Sequence, residues 1–62
     1  VIWIVFNKNS LAIHGQHYLK SAAKKQVKYL ASKAPYLRRI LEIENIGNID
    51  LEQWKMWKEL SK

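Results

Sequence analysis

Val1-Ile2-Trp3-Ile4-Val5-Phe6 is an unbroken run of β-branched and aromatic side chains, and the rest of the 62-residue chain has to be built around it. Six residues are too few for a self-standing helix, and this side-chain chemistry suits a pleated, buried surface, so the run reads as a buried strand. It is also far short of the roughly 20 apolar residues needed to cross a bilayer. No basic segment precedes it and no small-residue cleavage site follows it, so it does not read as a secretory signal.

A chain of this size hides only about 60% of the surface its unfolded form exposes, which leaves room for a protein partner or homodimer to add stability. With no cysteine there is no disulfide framework and no thiolate zinc site, so packing has to carry the fold. The composition, 48% hydrophobic and 26% charged, belongs to a folded chain. We expect a single small domain over residues 1–62. A first residue that is not methionine fits a trimmed initiator, a processed peptide or a domain cut from a longer protein.

Downstream of the first strand, Asn7-Lys-Asn-Ser10 reads as a turn. Residues 11–20 fit two patterns: Leu11, Ile13 and Leu19 share the parity of a strand, whereas Leu11, Gly15, Tyr18 and Ala22 fit a helical stripe. Gly15 and the preceding turn favour a hairpin. Ser21 is placed to cap a helix running to about Ala34, with Ala23, Val27, Leu30, Ala31 and Ala34 on its inner face. Pro35 turns the corner into a further helix, Tyr36 to about Asn45, with Leu37, Ile40 and Leu41 inward and Gly47 closing it. Asp50 caps the last helix, Leu51 to Ser61, with Gln53 three residues on. The expected architecture is α+β and mainly helical, a short N-terminal hairpin packed with three helices; if residues 1–20 were helical, an all-α bundle would result.

Charge is divided along this layout. Residues 1–41 carry Lys8, Lys20, Lys24, Lys25, Lys28, Lys33, Arg38 and Arg39 and no carboxylate, whereas all five acidic residues follow. Solubility alone is served by mixed signs, so a one-signed stretch of this length points to a polyanion. Lys24 and Lys25 also sit near a helix start, where cations oppose the macrodipole at about 0.3–1 kcal/mol each. A sequence that accepts this cost has another use for them. Ammonium groups and free helix amides at such a start can converge on phosphates.

The same segment resembles the last helix of double-stranded RNA-binding domains. Lys24-Lys25-Gln26-Val27-Lys28 is the counterpart of that family's phosphate-touching lysine run. The likeness covers about a dozen residues, and the family's first helix and glycine-rich approach have no counterpart here. Residues 35–62, basic and tryptophan-bearing with a glycine between two amphipathic helices, are similar in pattern to leaderless helical bacteriocins, which implies a membrane surface as an alternative target.

Other constellations are weak. His14 and His17 could share a metal ion if their segment were helical, but on a strand they diverge, and no carboxylate or thiolate stands near them in sequence; an acid/base pair with Lys20 steadying a phosphate needs a geometry that spacing alone does not supply. Glu42, Glu44, Asp50, Glu52 and Glu59 show no metal-loop spacing, and neither a phosphate-binding glycine loop nor a nucleophile elbow is present. No metal, cofactor or catalytic residue is therefore expected. Trp54, Met56 and Trp57 spread apolar surface more widely around the last helix than one inner face needs; Trp54 and Trp57 read first as core residues, packed with Trp3, and otherwise as candidate anchors for a partner, a base or a lipid interface. Taken together, these features lead to an expectation of a non-enzymatic, cytoplasmic module that binds DNA or RNA through Lys20, Lys24, Lys25, Lys28, Lys33, Arg38 and Arg39. The rivals are a secreted membrane-active peptide and a small protein-binding inhibitor or adaptor.

Overall fold

The computed structural model describes residues 1–61, which form three strands and three helices in the order β1 (Trp3–Asn7), β2 (Ile13–His17), α1 (Lys20–Lys33), α2 (Leu37–Ile40), β3 (Leu41–Asn45) and α3 (Leu51–Leu60). The sheet has the order β2-β1-β3, with β1 antiparallel to both neighbours. The chain is α+β as expected, but the hairpin is part of a larger sheet.

The central position of β1 explains the apolar run. Ile4 and Phe6 face one side, where they pack with Leu11, Ile46 and Trp54, while Val5 faces the other with Ala23 and Leu41. A strand covered on both sides has no polar face, so its sequence shows no alternation. Ile4 and Val5 are 0% exposed and Phe6 2%, which makes β1 the axis of both cores. The result is three layers: α1 and α2, the sheet, and α3.

β2 and β3 flank β1 and run parallel to each other, so the chain between them has to cross the sheet. Parallel strands need a connection of a dozen or more residues, and the 14-residue α1 supplies it. Ala23 and Ala31 are the buried residues of α1, and Val27 and Leu30 pack beside them. Alanine at the contact points lets the helix lie close to the sheet. The helix begins at Lys20 with Leu19 as N-cap and no side-chain cap, so Ser21 lies inside the first turn and does not cap it as the sequence suggested. The first turn closes through backbone alone, Ala23 N donating to Leu19 O at 3.2 Å.

The largest correction concerns residues 36–45. Helical structure there is a single turn, α2, and Leu41–Asn45 is a strand. Leu37, Ile40 and Leu41 satisfy a helical stripe, but Leu41 and Ile43 also alternate, and pairing with β1 gives the second pattern the advantage. Val5 stands opposite Ile43 and Asn7 opposite Leu41, so both apolar residues of β3 fall on the α1 side, in the Val5 cluster. Gly47 does adopt φ +63°, but in the turn after β3, where its N–H donates to Asn45 Oδ1 at 2.8 Å, and not at a helix end.

Two local devices fix the ends of the sheet. At the β1–β2 turn Asn7 Oδ1 accepts from the N–H groups of Asn9 and Ser10. Leu11, buried in the Phe6 cluster, then takes φ +63°, a left-handed conformation costing a non-glycine residue about 1–2 kcal/mol, offset by burial of its side chain. The start of α3 follows expectation, Asp50 Oδ1 accepting from Gln53 N at 2.9 Å.

Candidate functional site

The inner face of α1 dictates what its outer face holds. With Ala23, Val27, Leu30 and Ala31 turned to the sheet, the 3.6-residue repeat places Lys25, Lys28, Tyr29 and Ser32 outward, with Lys24 and Lys33 at the flanks. Lys20, Lys24, Lys25, Lys28 and Lys33 are all exposed, and so are Arg38 and Arg39 on α2, which packs against α1. All seven cations named from the sequence thus belong to the helical layer on one side of the sheet.

The carboxylates are held on the other side. The register sets Glu44 opposite Ile4 and Glu42 opposite Phe6, on the side that α3 covers, while Asp50, Glu52 and Glu59 cap or belong to α3. The charge division along the sequence becomes a division between faces. Among the described residues, the ion pair joins Lys58 Nζ and Glu44 Oε1 at 2.7 Å, and none of the seven cations has a carboxylate partner. Lys55, three residues after Glu52 and four before Glu59, is likewise without a carboxylate partner among the described residues. Two of the α1 lysines lie over aromatic rings: Lys20 Nζ is 5.4 Å from the centre of the Trp3 ring, and Lys33 Nζ is 4.7 Å from that of Tyr29.

Tyrosines accompany the cations. Tyr29 on α1 is 51% exposed, and Tyr36, the N-cap of α2, is 66% exposed. Unpaired ammonium and guanidinium groups beside exposed rings can neutralise phosphates and offer π faces to bases.

His14 and His17 do not form a joint site. The β1–β2 ladder shifts register between Val5 and Phe6, leaving His14 exposed and without a cross-strand partner. His17 faces α1 and bonds Gln26 Oε1 through Nε2 at 2.5 Å, while Gln26 Nε2 donates to the His14 carbonyl at 2.9 Å. Because the Gln26 amide nitrogen is donating, its oxygen is the acceptor, and His17 carries a proton on Nε2. Gly15 makes this clasp possible, because a Cβ there would fall 2.2 Å from Gln26 Oε1. Its role is close approach between β2 and α1, which its use as a hairpin signal did not reveal. A hollow of about 90 Å³ beside Ile2, Gln16, His17 and Tyr18 is well below the ~300 Å³ of ordinary ligand pockets.

The two tryptophans of α3 have different fates. Trp54 is 2% exposed, meets Phe6 edge-on with ring centres 4.8 Å apart, and donates its indole N–H to Glu44. It is a core residue and cannot anchor a partner, because its ring fills the space between α3 and the sheet. Trp57 remains at the surface with Met56 and Leu60. Glu44, to which sequence reasoning gave no role, joins β3 to α3 by accepting from both Trp54 and Lys58. Among the described residues, no helix is long and apolar enough to cross a membrane. Comparison with known proteins returns no matching family model, curated protein or solved structure.

Proposed function

We propose that this chain is a non-enzymatic nucleic-acid-binding module whose α1–α2 layer docks on phosphates. The observation that carries the reading is the segregation of seven exposed cations onto one side of the sheet, with no carboxylate partner among the described residues. Lys24, Lys25 and Lys28 supply the first turns of the contact; Lys20, Lys33, Arg38 and Arg39 extend it. Affinity of this kind is electrostatic, so it falls steeply with salt. The test is fluorescence anisotropy of labelled DNA and RNA over a salt series. Binding whose logarithm falls linearly with log salt, with a shallower slope when Lys24, Lys25 and Lys28 are changed to Gln, supports the reading. No binding at low salt defeats it.

The resemblance to double-stranded RNA-binding domains extends no further than local lysine spacing, because α1 follows a hairpin and precedes α2, β3 and α3 instead of ending the domain. The bacteriocin likeness required two amphipathic helices after Pro35, and Leu41–Asn45 is strand. A second reading is favoured by α3: Met56, Trp57 and Leu60, exposed by 59%, 51% and 78%, form an apolar stripe suited to a protein partner. Trp57→Ala leaves phosphate binding intact under the first reading and abolishes partner binding under the second.

A further inference from the structure

The nucleic acid that suits this face is single-stranded. We propose that Tyr29 and Tyr36 are base-stacking platforms set among the phosphate-binding cations, so that the module takes unpaired DNA or RNA in preference to duplex; the inference rests on the reading given above.

Tyr29 is the first of the two rings along the chain. On the outer face of α1 it lies one turn from Lys25 on one side and Lys33 on the other, and Lys28 and Ser32 are adjacent. Its ring is half exposed in the middle of this cationic surface. The Lys33 ammonium lies over the ring, 4.7 Å from its centre, and a base can take the opposite face. Tyr36 is more exposed still, between the Pro35 corner and Arg38. One helical turn and three further residue-to-residue steps separate the backbones of Tyr29 and Tyr36 by no more than roughly 17 Å. A strand a few nucleotides long spans that distance, its phosphates over the lysines and its bases turned to the rings.

A duplex makes poorer use of the same surface. Paired bases are already stacked and offer no free face to a tyrosine. Reading a groove needs side chains that fork onto base edges, and the amide on α1 best suited to this, Gln26, is held by His17 and the His14 carbonyl. Arg38 and Arg39 have the chemistry for guanine, but α2 is a single turn and too short to lie along a groove as a recognition helix. The sheet does not supply the stacking surface either, because its central strand is covered on both sides.

The experiment compares single-stranded and duplex oligonucleotides, DNA and RNA, of equal phosphate number, against the wild type, Tyr29→Leu, Tyr36→Leu and the matching Phe variants, with circular dichroism confirming the fold. The expected result is tighter binding of single strands, an affinity loss of about tenfold for each Leu variant with an unchanged salt slope, and near-wild-type binding by the Phe variants. Equal or tighter duplex binding, or Leu variants that bind single strands as the wild type does, overturns the stacking inference and leaves the basic face standing. Failure to bind any oligonucleotide at low salt overturns both.

Discussion

Small side-chain decisions hold the layers together. Trp54 illustrates one of them: its ring fills the α3 side of the core, and its indole N–H is satisfied by a glutamate from the neighbouring strand. Trp54→Phe keeps most of the packing but orphans that bond, so denaturant unfolding should show a loss of about 1–2 kcal/mol. Trp54→Ala, which also opens a cavity, should lose about 3–5 kcal/mol. Gly15 makes a second test. Gly15→Ala pushes against the flexible end of Gln26, so its cost is the loss of the Gln26 clasp, about 1 kcal/mol, and it should largely disappear in a Gln26→Ala background. Equal penalties in both backgrounds would show that the clasp contributes nothing. A core tryptophan was readable from the sequence, but which one was not, and the role of Gly15 was not readable at all. That Trp54 rather than Trp57 turns inward depends on where α3 meets the sheet, and Gly15 has meaning only when a residue eleven positions later lies over it.

At the scale of elements, the readable parts were those whose signals are local. Asp50 caps α3 because an acceptor three residues before a free amide is a property of four consecutive residues. The stripe from Ala23 to Ala31 identifies α1 on the same grounds. Leu41–Asn45 was misread because two periods fit the same five residues, and the deciding partner, β1, lies more than thirty positions away. The start of α1 offers a test that links structure to function. Leu19, its N-cap, is exposed and gives the helix no side-chain acceptor. Leu19→Asp should supply one and raise stability by about 0.5–1 kcal/mol. The same carboxylate, set beside Lys20 and close to Lys24, should weaken oligonucleotide binding by several-fold. Higher melting temperature together with lower affinity is the expected pair of readings; a rise in both would mean that phosphates do not approach this end of the helix.

For the whole molecule, a sheet only three strands wide turns a charge split along the sequence into a charge split in space. The split itself was visible in residue order, as eight cations before the first carboxylate. Its orientation was not, because it depends on α1 crossing one side of β1 while the register of β3 sends Glu42 and Glu44 to the other. The central claim is that ligand meets the α1–α2 layer. The most direct measurement is a map of backbone amide shifts by NMR as a short single-stranded oligonucleotide is titrated into isotope-labelled protein. Shifts concentrated at residues 20–39, with residues 51–60 of α3 undisturbed, are the expected result. Shifts centred on Met56, Trp57 and Leu60, or no shifts at low salt, would contradict the account.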